Sequence, residues 1–332
     1  MPAEWEMHEA CIMAWPARDE SFAPYFERAK EEYAAVANAI AAFEPVAMVT
    51  NPGQAGEVRQ RCSSAVEIFE VPIDDSWTRD SGPVMVVDEN GRRAGVDFAF
   101  NSWGERFLPY DKDAAMSARV LELLGIERIP SAMVLEGGSI TVDGEGTLIT
   151  TEQCLLNPNR NPDLSREQIE AELRRTLGVE QIIWLPWGHA EDQYTDGHVD
   201  GICAFVRPGT VLMHTCADPA NPNYELMAAN QEVLRGSKDA AGRALEVIEL
   251  TQWPYFDLDG RSLMVSYANF YVANGGVVAP LADHPLDADF LETLARTFPE
   301  HEVVGVPTQI VRYGGGGVHC ITQQIPAEAQ TA

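Results

Sequence analysis

The sequence predicts a mixed α/β fold in which five copies of one unit, made of a helix, a strand, a polar loop and a β-hairpin, close into a ring. Helical periodicity recurs at residues 24–43, 112–124, 165–177, 223–234 and 287–298. Each of these segments is followed by a short apolar run that ends at or near a proline, at positions 72, 130, 186, 254 and 307. The regular recurrence of this pattern indicates an internal repeat.

The helices are predicted from apolar residues that recur every three to four positions. In the first segment, Tyr33, Val36 and Ile40 fall on one face. In the third, Ser165 is a suitable N-cap and Gln168 completes a capping box. The apolar runs that follow the helices are predicted as strands, at residues 66–72, 126–130, 181–186, 245–254 and 302–307.

A β-hairpin pattern follows each of the first four prolines, after a polar loop. The paired strands are predicted at residues 84–88 with 94–100, 139–142 with 147–151, 202–206 with 211–215, and 264–273 with 277–280. The fifth unit has only 318–325, and its missing strand is expected at 10–15. Pairing these two segments closes the ring, which buries the apolar face of every unit and leaves no open sheet edge. The alternative, a doubly wound sheet, needs helices between parallel strands, whereas here hairpins separate the helices.

The composition limits the partners that this chain can have. Its 332 residues include 51 Asp and Glu against 23 Lys and Arg, which gives a formal net charge of −28. Nucleic acid and anionic membranes are therefore poor candidates, because both require basic surfaces. The charge fits small cationic substrates, and it equally fits a surface charged for solubility. We expect a cytoplasmic protein with one domain spanning residues 1–332, without a signal peptide, a membrane span or a disulfide framework.

The loops that follow four of the prolines carry the side chains suited to catalysis and binding. They contain WTRDSGP at 77–83, EGGS at 136–139, TDGHVD at 195–200 and GGGGVHC at 314–320. In a closed ring these loops converge on the central axis. One cysteine, one histidine and three carboxylates are then expected to meet there: Cys320, His198, Asp80, Glu136 and Asp200.

Cys320 follows four consecutive glycines, which free the backbone and let a ligand approach closely. A thiol in such a loop can act as a nucleophile if nearby groups favour the thiolate. The alternative is a small buried apolar side chain in the predicted strand 318–325. In that strand His319 points away from Cys320 and is expected to be structural. The other five cysteines lack a glycine-rich loop and are expected to be inert.

His198 and Asp200 lie two residues apart, so on a strand both point to one face. The pair suits proton transfer better than metal binding, because no HExxH or HxH pattern supplies further ligands. A structural histidine is the alternative. Several carboxylates facing one cavity favour a planar cation, and guanidinium is the natural candidate because carboxylates accept its paired N–H groups. Trp77 can stack on that plane or line its pocket.

These motifs resemble those of the agmatine deiminases, relatives of the bacterial peptidylarginine deiminases in the guanidine-modifying (pentein) superfamily. The resemblance runs nearly end to end and includes, besides the loops above, MPAEW at 1–5, HEA at 8–10, MAWP at 13–16, LLNPNRN at 155–161 and CITQQ at 320–324. It implies a five-bladed α/β propeller that acts as a homodimer without metal or cofactor. The implied reaction hydrolyses agmatine to N-carbamoylputrescine and ammonia, a step toward putrescine, through an amidino-thioether on a cysteine.

The resemblance also implies roles for individual residues. The implied catalytic residues are Cys320 as nucleophile, His198 as general acid/base and Glu136 as the carboxylate that orients His198. The implied substrate-binding residues are Asp80 and Asp200, which hold the guanidinium group, and Trp77, which lines its pocket.

Two places depart from the family pattern. Tyr194 stands where many relatives carry an acidic residue, and residues 101–107 are poorer in glycine than the family run. Tyr194 and the second segment, Glu105 to Phe107 in particular, are expected at the mouth of the pocket. The departures therefore concern which substrate binds rather than which reaction is catalysed. Three alternatives stay open: a deiminase for another guanidino compound or for peptidyl-arginine, an amidinotransferase, and a non-catalytic propeller that binds a ligand.

Overall fold

The computed structural model describes residues 1–251 and 253–328. In that part of the chain, five sheets of three or four strands and one separate two-stranded hairpin are formed. In each of the five sheets, one strand lies antiparallel to its neighbour, and that neighbour lies parallel to a third strand. Along the chain, a helix lies between the two parallel strands. The predicted five-bladed α/β propeller is confirmed.

The first three blades follow one another along the chain. The first contains β1 (His8–Ala14), α1 (Phe26–Ile40), β2 (Val46–Thr50), α2 (Ala55–Arg61) and β3 (Val66–Glu70). The second contains α3 (Thr78–Ser81), β4 (Val84–Val87), β5 (Arg93–Ala99), α4 (Ser102–Glu105), α5 (Asp111–Ala114), α6 (Met116–Leu124) and β6 (Glu127–Val134). The third contains β7 (Ile140–Val142), β8 (Thr147–Thr151), α7 (Glu152–Leu155), α8 (Arg166–Leu177) and β9 (Gln181–Leu185).

The last two blades are separated by the extra hairpin. The fourth blade contains β10 (Cys203–Arg207), β11 (Thr210–His214), α9 (Tyr224–Gly236) and β12 (Glu246–Leu250). The hairpin consists of β13 (Tyr255–Leu258) and β14 (Arg261–Met264). The fifth blade contains β15 (Tyr271–Ala273), β16 (Gly276–Leu281), α10 (Asp287–Thr297) and β17 (Glu302–Pro307), and is followed by α11 (Gln309–Gly314) and β18 (Gln323–Pro326).

The ring closes through β18, which lies antiparallel to β1 with Cys11 opposite Gln324 and Ile12 opposite Gln323. This pairing between residues 10–15 and the end of the chain was expected from the missing fifth strand. The first blade also contains β2 and α2, which the repeat did not predict. As a result, this sheet has four strands where the others have three.

The helices pack on the sheets through the faces that their periodicity indicates. In α1 the side chains of Tyr33, Val36 and Ile40 are fully buried. At the start of α8, Ser165 and Gln168 form the predicted capping box. No helix within the described residues is both long and apolar enough to cross a bilayer.

Two strand predictions were wrong in ways that matter for the site, and a third segment is a turn where the facing of His198 and Asp200 was argued for strand geometry. The predicted strand 264–273 is broken, because β14 ends at Met264 and β15 starts at Tyr271. The intervening residues 265–270 are all buried, so they lack the one-sided exposure of a blade strand. His319–Ile321 and Val199–Gly201 are short 3₁₀ turns rather than strand. Residues 318–325 are therefore a turn followed by β18.

The blades share a short turn or loop near the axis of the ring. Before its antiparallel strand, each of the last four blades has a short turn or loop near the axis: Thr78–Ser81, Gly137–Ser139, Val199–Gly201 and the loop 265–270. The turn His319–Ile321 takes the same place before β18 in the first blade. Each turn presents a side chain to the centre of the ring, which is how residues far apart in the sequence meet.

Candidate active site

Cys320 lies at the axis beside groups from two other blades. Its Sγ is 3.6 Å from Oδ2 of Asp200 and 3.5 Å from Oδ1 of Asn269. The Asn269 amide oxygen also accepts the backbone N–H of His319 at 3.0 Å, and its Nδ2 donates to the carbonyl of Asp200 at 3.2 Å. Asn269 therefore fixes both the turn that carries the thiol and the turn that carries the carboxylate.

A glycine leaves room for three polar groups to meet. A Cβ at Gly138 would lie 2.6 Å from Nδ1 of His198, 2.8 Å from Oδ1 of Asp80 and 3.0 Å from Oδ2 of Asp200. The imidazole and two carboxylates thus surround one point, and a side chain at position 138 would collide with all of them. His198 and Asp200 do face one cavity, but through a 3₁₀ turn and not through the strand that their spacing predicted.

His198 is buried between two carboxylates. Its Nδ1 is 3.8 Å from Oδ1 of Asp80, and its Nε2 is 3.7 Å from Oε2 of Glu136. Burial alone lowers the pKa of this histidine, but Asp80, Cys154 and Glu136 together outweigh burial and raise it well above its usual value. The carboxylates on both sides of the ring therefore favour the protonated form of His198.

Glu136 is the fully buried partner of this imidazolium. Its Oε1 accepts a 2.6 Å hydrogen bond from Nε of Arg160, whose side chain is also completely buried. Burial raises the pKa of Glu136, yet His198 and Arg160 outweigh it and leave the pKa below its usual value. Glu136 is thus ionised, with one oxygen on the guanidinium of Arg160 and the other facing His198.

Cys154 lies on the same side of His198 as Glu136. One donor atom from each of Cys154, Glu136 and His198 falls within 4.8 Å of the other two. Thiol, carboxylate and imidazole are a donor set that can ligate zinc. Here Arg160 already holds Glu136, and burial raises the pKa of Cys154, which disfavours the thiolate that a metal requires. We therefore interpret Cys154 and Glu136 as side chains that stabilise His198, and not as metal ligands.

Asp80 is held rigidly from two directions. Oδ2 accepts the indole N–H of Trp103 at 2.9 Å, and Oδ1 accepts the backbone N–H of Gly138 at 2.9 Å. Burial raises the pKa of Asp80, and the charges of Asp200 and Glu136 add to this, while His198 opposes it. A buried carboxylate with this surplus of negative neighbours is suited to receive a cation.

The thiol of Cys320 experiences the same negative surroundings. Burial raises its pKa well above the usual value, and Asp200 and Asp80 raise it further. These surroundings therefore favour the neutral thiol when no cation lies between the two carboxylates. A positive charge bound between the two carboxylates would remove the repulsion that disfavours the thiolate.

An aromatic mouth leads to Cys320. The side chains that line it are Trp77, Trp103, Phe107 and Tyr194, together with the carboxyl groups of Asp75 and Asp80. The rings of Phe107 and Tyr194 are 5.6 Å apart between centroids. The structure thus places Trp77 in the pocket and both departures from the family pattern at its mouth.

His319 differs from its prediction. It lies in the turn beside Cys320 and not in a strand, and its Nδ1 is 2.9 Å from Oδ2 of Asp200. Sequence reasoning also gave no role to Asn269, Trp103, Arg160 or Cys154. Arg160 sits in the LLNPNRN motif at 155–161, so that signal was present, whereas Asn269 was hidden by the assignment of residues 264–273 to a strand.

A five-bladed α/β propeller with a thiol, an imidazole and carboxylates on its axis defines an enzyme of the guanidine-modifying pentein type. The chain belongs to the Porphyromonas-type peptidyl-arginine deiminase family, whose family model matches residues 1–326.

Individual relatives support this membership. The chain is 45% identical to an agmatine deiminase of Pseudomonas aeruginosa (strain LESB58), over 98% of this chain and 95% of the relative. The structure is similar to that of the agmatine deiminase of Enterococcus faecalis, with a TM-score of 0.95 and 35% identity, covering 99% of this chain and 96% of that one. DDAH from Pseudomonas aeruginosa, at 16% identity and a TM-score of 0.54 over 96% of this chain and 100% of that one, shows a shared fold alone.

Proposed function

We propose that this protein is an agmatine deiminase, which converts agmatine and water into N-carbamoylputrescine and ammonia. The observation that carries the proposal is the meeting of His198, Asp80 and Asp200 around one point beside the thiol of Cys320. The 45% identity to an agmatine deiminase over 98% of the chain supports agmatine as the substrate. The guanidinium-binding role of the carboxylates, the nucleophile and the acid/base are all part of this proposal.

Binding begins with the charge of the substrate. In the proposed complex, the planar guanidinium lies between Asp80 and Asp200, whose oxygens accept its paired N–H groups. Asp80 cannot turn away, because Trp103 and Gly138 each hold one of its oxygens. Trp77 lines the mouth beside the bound group. The cation also lowers the pKa of the Cys320 thiol, so substrate binding favours the thiolate nucleophile, and the proton of the thiol passes to solvent.

In the first half of the reaction, the sulfur of Cys320 bonds to the guanidinium carbon. The carbon–nitrogen bond to one terminal NH₂ group then breaks. The departing nitrogen takes the proton of the His198 imidazolium and leaves as ammonia. An amidino-thioether remains on Cys320. Glu136 stabilises His198 in its charged form and fixes the orientation of the ring.

In the second half, His198 is neutral and accepts a proton from water. The water oxygen bonds to the amidino carbon, and the carbon–sulfur bond breaks. As the carbonyl forms, the remaining proton of the added water passes to the departing sulfur, which releases N-carbamoylputrescine and returns Cys320 as thiol. Over the whole cycle one water is consumed, and one ammonia and one proton are released, which together form ammonium, so no redox step or added group carrier is involved.

The mouth favours a free small molecule over arginine in a peptide. Phe107 and Tyr194 border the pocket, and Arg106 ties the Phe107 loop to Asp196 of the His198 loop by an ion pair. Because this tie joins two sides of the mouth, a bulky peptide backbone would have to displace it. A slender aminobutyl chain would not.

A substrate panel tests the proposal. Purified protein is incubated with agmatine, arginine, 4-guanidinobutyrate and an arginine-containing peptide, and both ammonia and the ureido product are measured, the latter by mass. We expect turnover of agmatine at a kcat/KM well above that of the other compounds. Preferred turnover of the peptide would refute agmatine as the substrate. Transfer of the amidino group to an added amine without ureido product would refute hydrolysis and favour an amidinotransferase.

The remaining expectations are also proposals. The pairing of β1 with β18 supports a single domain over residues 1–332, because the first blade needs both segments. Family resemblance supports a homodimer, a cytoplasmic location and a role in putrescine synthesis. Light scattering after size-exclusion chromatography tests the homodimer, which should have twice the 36.5 kDa mass of one chain. A mass of 36.5 kDa would contradict it.

A further inference from the structure

A chain of three charged side chains runs from the N-terminal segment to the thiol. Oε2 of Glu4 is 2.8 Å from Nε2 of His319, and Nδ1 of the same ring is 2.9 Å from Oδ2 of Asp200. That Oδ2 is the oxygen that lies 3.6 Å from Sγ of Cys320. His319 therefore grips the one oxygen atom of Asp200 that faces the nucleophile.

Asp200 lines two cavities. One contains His198 and Cys320, and the other is bordered by Glu4, Arg79 and His319. A carboxylate with open space behind it can rotate away from the substrate. The 2.9 Å contact between Nδ1 of His319 and Oδ2 of Asp200 opposes such a rotation.

Glu4 is itself held in place. Its Oε1 accepts the backbone N–H of Val272 at 2.9 Å, and its Oε2 is 3.3 Å from Nη2 of Arg79. Its pKa is lowered to about 2, because His319 and Arg79 outweigh the opposing effect of burial. Glu4 is thus a fixed negative charge at neutral pH, on the side of His319 that is remote from the substrate.

A carboxylate lies within hydrogen-bond distance of each ring nitrogen of His319, which favours the protonated ring. Burial and the charge of Arg79 lower its pKa, but Glu4 and Asp200 outweigh them and raise it above the usual value. The charged groups that face the ring are Glu4, Arg79 and Asp200, and the Cys320 thiol lies beyond Asp200. An imidazolium can donate to both carboxylates at once, whereas a neutral ring can donate to only one.

We propose that Glu4 and His319 are positioning residues of this active site: Glu4 fixes His319, and His319 holds Asp200 in the orientation that binds the guanidinium beside Cys320. This inference rests on the proposed function. It assigns a part in the reaction to a residue of the N-terminal segment, far in sequence from the loops that carry the site.

The test compares Glu4→Gln with a matched control, Glu9→Gln, in purified full-length protein. Glu9 lies five residues further along, and its side chain is 60% exposed. We expect Glu4→Gln to lower kcat/KM for agmatine by about 10- to 100-fold, as is typical when a partner that orients a functional group is lost, mainly through a higher KM. Glu9→Gln should match the wild type.

The pH profile separates positioning from a general loss of structure. Glu4→Gln removes one of the two carboxylates that keep His319 protonated. The alkaline limb of kcat/KM should therefore move to lower pH, and Glu4→Asp, which restores the charge, should move it back. If Glu4→Gln does not fold, as judged by circular dichroism, the KM comparison is made with His319→Asn.

Three outcomes would overturn the inference: a kcat/KM for Glu4→Gln within about twofold of the wild type, a loss confined to kcat with an unmoved alkaline limb, or a wild-type KM in a folded His319→Asn. Failure of the proposed function looks different. In that case the wild type itself turns over no guanidino compound, whichever residue occupies position 4.

Discussion

Arg160 offers a sharp test of how the site is held together, because its side chain is completely buried and hydrogen-bonded at all three guanidinium nitrogens. Its Nε donates to Glu136, its Nη1 lies 2.8 Å from Oδ2 of Asp196, and its Nη2 donates to the carbonyl of Thr195 at 3.0 Å. One guanidinium therefore connects the carboxylate beside His198 to the loop that carries His198. The perturbation is Arg160→Met, which keeps most of the volume and removes all donors.

The expected cost follows from what is left behind. Glu136 has no exposed surface, so Arg160→Met leaves a buried carboxylate without the guanidinium that donates its 2.6 Å hydrogen bond. Loss of one partner of a buried ion pair costs about 3–5 kcal/mol of unfolding free energy, because the remaining charge stays desolvated. Arg160→Lys keeps the charge but cannot reproduce the fork of donors, so its cost should be smaller.

Urea unfolding followed by circular dichroism measures this cost, and ammonia release measures activity. The matched control is Arg296→Met, which removes an Arg–Glu pair in α10 whose side chains are 65% and 67% exposed. Exposed helix pairs contribute only about 0.3–0.5 kcal/mol. Arg160→Met should also lose most activity, because His198 then lacks an ionised, fixed Glu136. If both variants unfold at the same urea concentration, the reasoning about Arg160 is refuted.

Two further predictions concern protonation. In the free enzyme the thiol of Cys320 has a raised pKa, so a cationic chloroacetamidine should alkylate it faster than neutral iodoacetamide at pH 7. Agmatine should protect Cys320 from alkylation, which is measured from the mass of the Cys320 peptide. Equal alkylation rates for both reagents would contradict this. His189 and Thr195 outweigh burial and lower the pKa of Asp192 in the folded state, so its stabilisation is present above the unfolded pKa of about 3.9 and is lost as the pH falls below it. Urea unfolding of Asp192→Asn should therefore show a deficit at pH 7 that narrows in acid, and a deficit independent of pH would contradict the assignment.

The ring could be predicted because it depends on patterns that each unit repeats. Helical periodicity located all five long helices, and the missing strand of the fifth unit correctly indicated that residues near position 10 pair with the last strand. What the repeat could not predict were the departures from it. Strand β2 and helix α2 occur in one blade alone among the described residues, so no second copy in the sequence signals them.

Site residues that stand in a contiguous motif could be predicted from the sequence. Site residues outside such a motif could not. Cys320 and His198 stand in distinctive loops, so their meeting followed from the ring. Asn269 lies in an apolar stretch that has the composition of a strand, and only the fold shows that it turns toward the axis. Glu4 is one acidic residue among many. Its role depends on a contact with His319 across 315 positions, which local sequence patterns do not encode.

The central claim is that Cys320 forms a covalent amidino intermediate, and one measurement tests it most directly. Wild type, Cys320→Ala and the control Cys216→Ala are mixed with agmatine and quenched in acid over a series of times. Peptide masses and ammonia are then measured in each sample. We predict that the Cys320 peptide of the wild type and of Cys216→Ala transiently gains the mass of agmatine less ammonia, and that Cys320→Ala releases no ammonia while remaining folded. Near-native ammonia release by Cys320→Ala would contradict the account.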